Sequence, residues 1–123
     1  DGEAECVGGL EMGAVPLIAP VAMKSFGSGR PLSGFFVRKA PKDHGTKQRI
    51  EGLAVAGKTA IIVEDVTTTG GSAMQAVELV RAAGGKVALV LSILDRGEGA
   101  RELYAAAGVP FKSLFRAEEF LAA

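Results

Sequence analysis

The sequence predicts an α/β fold, a parallel sheet covered by helices, and three observations carry that prediction. Short β-like runs alternate with helix-like ones along all 123 residues, the order expected when each helix returns the chain to a neighbouring parallel strand. Two of the runs, "AIIVEDV" and "KVALVLSIL", are nearly unbroken apolar and β-branched stretches, as strands buried on both faces are. The length suits one domain with a real core and is too short for two.

The elements follow in order. "AECVGG" is a short first strand ending at Gly8-Gly9. "MGAVPLIAPVAMKSFG" reads as a buried helix that Pro16 and Pro20 interrupt or confine. "LSGFFVRKA" is the next strand, and residues 38–52 follow as a polar loop without apolar period. "AIIVEDV" is a central strand. From Gly70 to Ala83 the pattern turns helical, with Ala73, Met74, Val77 and Val80 on one face and Gly84-Gly85 as the stop. "KVALVLSIL" is a second central strand, "GEGARELYAAAG" a helix closed by Gly108, "FKSLF" an edge strand and "RAEEFLAA" a terminal helix. The chain opens at Asp1 without Met and enters a strand within a few residues, which reads as a cut end.

Composition narrows the function classes. Lys and Arg together number 14, as do Asp and Glu, so no whole-molecule field favours nucleic acid or a membrane surface. The single cysteine, Cys6, forms no intrachain disulfide, which fits a reducing cytoplasm. Gly, Pro, Lys or Asp break every apolar stretch well before membrane-spanning length, and no signal-peptide pattern is visible.

In open α/β sheets, ligands bind beyond the carboxyl ends of the strands. Here those ends are Gly8-Gly9, Arg38-Lys39, Glu64-Asp65 and Asp95-Arg96. After Asp65, "VTTTGGS" leads straight into a helix, whose unpaired N–H groups and partial positive charge suit an anion. Thr67, Thr68, Thr69 and Ser72 add hydroxyl donors, and Gly70 and Gly71 allow close approach. The G-x-x-x-x-G-K-[ST] spacing of a triphosphate loop is absent, and so is the G-x-G-x-x-G of a dinucleotide site. Surface solvation is the default for an acid pair. At the end of a buried strand, directly before an anion loop, Glu64 and Asp65 suit hydroxyl groups beside a phosphate, as in a sugar phosphate.

Four apolar positions, two acids and a Thr-Thr-Gly turn resemble the phosphoribosyl-pyrophosphate signature of type I phosphoribosyltransferases. That resemblance implies a three-layer, Rossmann-like parallel sheet flanked by helices. It also implies that residues 64 to 72, Val66 included, bind phosphoribosyl pyrophosphate, with Asp65 taking part in catalysis.

"VRKAPKDHGTKQR" gathers Arg38, Lys39, Lys42, Lys47 and Arg49 with His44, the only histidine. Such a cluster repels itself unless solvent or an anion screens it. A solvated loop is one reading; a nucleic-acid patch is another, although aromatic residues for base stacking are missing. A loop closing over pyrophosphate is the third. Cations there would stabilise charge on the leaving group, and His44, with an ordinary pKa of about 6.5, suits proton donation.

"RKAPKDHG" is similar to the mobile catalytic loop of the orotate phosphoribosyltransferase family. The resemblance implies a homodimer in which the 38–49 loop acts in trans, Arg38, catalytic Lys42 and catalytic His44 serving the partner's site and Lys39 its own. It implies that Arg96 and Thr68 contact orotate. It implies a pyrophosphate loop at Glu11, Met12 and Gly13, where many family members carry a lysine at the place of Met12. Mg²⁺ is the implied cofactor, bound mainly through substrate oxygens with no direct protein ligand.

Residues 1–123 are thus expected to form a phosphoribosyltransferase core without the family's N-terminal hood, a piece expected to turn over orotate weakly or not at all by itself. The expected reaction joins orotate to phosphoribosyl pyrophosphate in pyrimidine biosynthesis. A purine-type phosphoribosyltransferase and a non-catalytic sugar-phosphate-binding module remain alternatives.

Overall fold

The computed structural model describes residues 4–11, 13–40 and 49–121. In chain order its elements are β1 (Cys6–Gly8), α1 (Val15–Gly27), β2 (Ser33–Val37), β3 (Ile50–Gly52), β4 (Thr59–Thr67), α2 (Gly71–Ala82), β5 (Lys86–Asp95), α3 (Ala100–Ala106), β6 (Phe111–Arg116) and α4 (Ala117–Leu121). They build one six-stranded sheet in the order β3-β2-β1-β4-β5-β6. All neighbours pair in parallel except β2 and β3. The carboxyl ends of β1, β2, β4 and β5 therefore lie on one rim.

Alternation along β1 and β4 sorts side chains into two cores, one on each face. Cys6, Ala60 and Ile62 join Ala73, Ala76, Val77 and Val80 of α2 and Tyr104 of α3. Val7 and Val63 face the other way and meet Leu17, Ile18, Val21 and Ala22 of α1. Two helix layers enclosing a sheet make the expected three-layer architecture.

Four expectations are corrected. The end of the supposed 38–52 loop forms β3, antiparallel to β2, with Phe35 opposite Gly52 and Val37 opposite Ile50. Three residues are too few to display a period of two, so the strand was not legible. The helix from residue 15 is continuous and half-exposed rather than buried. Pro16 lies in its first turn, where an N–H is dispensable, and the exposed ring of Pro20 lies inside the helix. One face of α1 packs on the sheet, leaving Met23 and Phe26 at 75% and 70% exposure.

Strand β5 is buried on one face only, through Val90 and Ser92, while Leu89, Leu91 and Ile93 are half-exposed or exposed. The cause is placement: α1 packs chiefly against β1, β2 and β4. Finally, β4 does not end at its acids but continues to Thr67, so Glu64 and Asp65 lie within the strand rather than at its terminus. No helix among the described residues is long and apolar enough to cross a membrane.

Candidate active site

The acid pair is the centre of the site. Glu64 is buried on β4, paired across from Ser92 of β5. Its carboxyl is pushed up to about 7, first by burial and then by a hydrogen bond and charge repulsion from Asp65. Asp65 is exposed, and its Oδ1 accepts the Val66 N–H at 2.7 Å.

The segment after β1, described at Gly9 to Glu11 and at Gly13, borders both acids. It extends the sheet locally, since Val37 N–H donates to the Gly9 carbonyl and Glu11 N–H to the Val37 carbonyl, both at 2.8 Å. Gly13 then passes so near the acids that a Cβ there would lie 2.8 Å from Asp65 Oδ1 and 3.1 Å from Glu64 Oε1. Glu11 accepts the Lys39 N–H at 3.0 Å, which ties this loop to the end of β2. A cleft of about 190 Å³ results, bounded by Glu11, Gly13, Lys39, Glu64, Asp65 and Ser72.

On the other side of Glu64 lies a cavity of about 40 Å³, lined by Thr67, Thr68, Thr69, Gly70, Ser72 and Tyr104. Gly70 caps α2 at φ +94° with no side-chain cap, a conformation that suits glycine. The first N–H groups of α2 are consequently left for a ligand. Thr67 is 2% exposed, and its Oγ1 has no hydrogen-bond partner among the described residues.

Most of the expected residues converge: Glu11, Gly13, Lys39, Glu64 to Gly70 and Ser72 line one or other of these adjoining spaces, and Gly71 opens α2 beside them. Two lie apart. Arg38 donates from Nε to Glu51 Oε2 at 2.8 Å on the β2–β3 hairpin. Arg96 faces a separate cavity of about 220 Å³ with Arg101 and Arg116, and its Nε lies 3.4 Å from Glu98. The Arg96 backbone N–H nevertheless donates to the Thr67 carbonyl at 2.9 Å, joining the two strand ends. Met12, Lys42, Lys47 and His44 lie outside the described residues.

Sequence reasoning missed two residues. Asp95 is 2% exposed and pairs with Arg101 of α3 at 3.1 Å, not with its neighbour Arg96. Tyr104 of α3 reaches the threonine loop. A lone tyrosine on an alanine-rich helix was the available signal, but nothing in the sequence says which loop it meets.

A parallel α/β sheet whose central strand carries an acid pair and runs directly into a threonine- and glycine-rich loop at a helix N-terminus defines a phosphoribosyltransferase core. The phosphoribosyl transferase domain family matches residues 3–118. An orotate phosphoribosyltransferase of Rhodopseudomonas palustris strain TIE-1 is 56% identical over 125 residues, spanning 98% of this chain and 67% of the relative. One from a Bradyrhizobium species (strain BTAi1) is 58% identical over 119 residues, or 94% of this chain and 64% of the relative. The crystal structure of the Mycobacterium tuberculosis orotate phosphoribosyltransferase in complex with phosphoribosyl diphosphate superposes with a TM-score of 0.82 at 36% identity, over 96% of this chain and 66% of that one.

The chain belongs to the phosphoribosyltransferase family, in its orotate phosphoribosyltransferase branch, whose members are pentosyltransferases. It spans about two thirds of the length of the relatives it matches.

Proposed function

We propose that the protein to which this core belongs transfers the 5-phosphoribosyl group of phosphoribosyl pyrophosphate to orotate, yielding orotidine 5'-monophosphate and pyrophosphate. The observation that carries the proposal is Glu64 between two spaces of different chemistry. One is a small cavity beneath hydroxyls and the start of α2; the other is a wider cleft with Lys39, Glu11 and Gly13.

The 5-phosphate sits at Thr67 to Ser72. The ribose hydroxyls donate to Glu64 and Asp65. The pyrophosphate extends toward Lys39, Glu11 and Gly13. As the glycosidic bond to pyrophosphate lengthens, positive charge grows on the anomeric carbon, and the Asp65 carboxylate opposes it. Lys42 and His44 meet the charge of the leaving group, from a partner subunit in a homodimer. Arg96 and Thr68 orient orotate, the guanidinium matching its carboxylate with a planar, charge-assisted fork.

Mg²⁺ fits this donor set. The cleft offers hard carboxylate oxygens, and no group of three or more His, Cys, Asp or Glu able to hold a metal occurs among the described residues. A cation that brings most of its ligands with the substrate would suit that arrangement, and Glu64 and Asp65 are the acids that would face it. When bound, it supplies charge neutralisation for the pyrophosphate. A reducing, cytoplasmic setting agrees with the buried free thiol of Cys6, which burial pushes above its ordinary range.

The test is product formation by the full-length protein from orotate and phosphoribosyl pyrophosphate, with and without a chelator. Turnover that the chelator abolishes is the expected result. Activity with purine bases and none with orotate would reassign the substrate, and tight binding of the pyrophosphoryl sugar without turnover would make this a binding module.

A further inference from the structure

Helix α3 is absent from the chemistry above, yet it is packed flush against the threonine loop. A Cβ on Gly70 would lie only 3.1 to 3.2 Å from Leu103, Ala100 and Tyr104 of that helix. Tyr104 is wholly buried, and its hydroxyl donates to the Gly70 carbonyl at 2.7 Å. The same carbonyl accepts the Met74 N–H at 3.0 Å, the first turn of α2. The ring is stacked on Phe111 of β6 with centroids 5.1 Å apart. The helix is itself moored to the end of β5, where Asp95 accepts Arg101 Nε. Among the described residues, Tyr104 makes the only side-chain hydrogen bond to residues 67–72 from another element.

We propose that Tyr104 is a positioning residue for phosphate binding, holding the Gly70–Gly71 peptide so that its N–H is presented to the 5-phosphate. This rests on the reading of residues 67–72 as the phosphate site. The physical reason lies in the peptide unit. Gly70 C=O and Gly71 N–H belong to one planar trans group and point in opposite directions. Pinning the carbonyl toward α3 aims the N–H to the outer side of the loop. Gly70 has no side chain to resist rotation and sits at φ +94°, so the orientation of this peptide rests on the two hydrogen bonds to its carbonyl, from the Met74 N–H and the Tyr104 hydroxyl. Burial, and then the charge of Glu64, push the phenol far above its ordinary range, so it remains a donor throughout the pH range of the protein.

Tyr104→Phe keeps the ring and its stacking while deleting the donor. The expected result, by calorimetry with ribose 5-phosphate, is a dissociation constant raised about two- to tenfold, the worth of one net hydrogen bond. In full-length protein, KM for phosphoribosyl pyrophosphate rises in parallel while KM for orotate stays within about twofold. A lower melting temperature with unchanged ribose 5-phosphate affinity would mean the contact merely stabilises the fold, and it would overturn the proposal. Failure of the wild-type chain to bind ribose 5-phosphate would instead remove the phosphate-site reading beneath it.

Tyr104 is the one tyrosine of the chain, which permits a second measurement without substitution. In a protein limited to residues 1–123, incorporated 3-fluorotyrosine reports from this position alone. Its fluorine resonance is expected to shift when ribose 5-phosphate is added; a silent resonance under saturating ligand would refute the coupling.

Discussion

Glu64 is a carboxyl group held where its charge is costly. It is 7% exposed, Asp65 is its neighbour, and its pKa is raised to about 7 from an ordinary 4.5. The folded protein thus binds this proton more tightly than the unfolded chain does. Unfolding releases protons between pH of about 4.5 and 7, so this group makes stability fall as pH rises through that window. The full effect is at most about 3 kcal/mol. Glu64→Gln should flatten the slope and melt higher than wild type at pH 8 in ligand-free protein. Parallel melting curves for the two proteins from pH 4.5 to 8 would contradict the raised pKa. A charge held at such cost is consistent with a task for Glu64 once substrate hydroxyls and a cation arrive to stabilise it.

Strand β4, the threonine loop and helix α2 form one unit, and helix α3 holds it from behind. The mooring of α3 depends on Asp95, which accepts both the Gly97 N–H at 2.9 Å and Arg101 Nε at 3.1 Å while almost wholly buried. Asp95→Ala should cost about 1–3 kcal/mol, because two hydrogen bonds from exposed donors to a buried carboxylate are lost. Urea unfolding at pH 7 measures this. A cost under about 0.5 kcal/mol, the usual effect of a surface change, would show that α3 needs no such mooring. By contrast the Arg38–Glu51 pair on the β2–β3 hairpin is partly exposed, and pairs of that kind contribute little to stability.

The sheet as a whole is covered unevenly. Helix α2 covers one side across β4 and β5 with α3 beside it toward β6, while α1 covers the other side mainly over β1, β2 and β4. The rim carrying the site is shared by four strands, so its residues come together only when the sheet closes. The proposed reaction adds a demand that one chain does not meet if the 38–49 loop serves a second copy. Mixing full-length Asp65→Asn with His44→Ala tests this. Each variant alone should be nearly inactive, and random reassortment into dimers should restore about a quarter of wild-type turnover, one intact site in every mixed dimer. No recovery would place the loop over its own site.

Much of this was legible in the sequence, for reasons that differ by element. "AIIVEDVTTTGGS" announces a buried strand, an acid pair and an anion loop within 13 residues, because strand, turn and helix start are local in sequence and each has its own residue chemistry. The parallel sheet followed from alternation of elements, and the gathering of strand ends followed from the sheet. What local pattern does not contain is which distant groups touch. Asp95 has Arg96 beside it and pairs with Arg101 instead; Tyr104 lies 34 residues from the carbonyl it holds; and β3 exists because β2 offers it an edge. The sequence by itself determined five of the six strands, the threonine- and glycine-rich turn and the acids, since backbone conformation and side-chain chemistry are encoded residue by residue. Only the tertiary structure decided that Glu64 is costly to charge and that α3 braces the threonine loop, because burial and long-range hydrogen bonds exist only once the layers are packed.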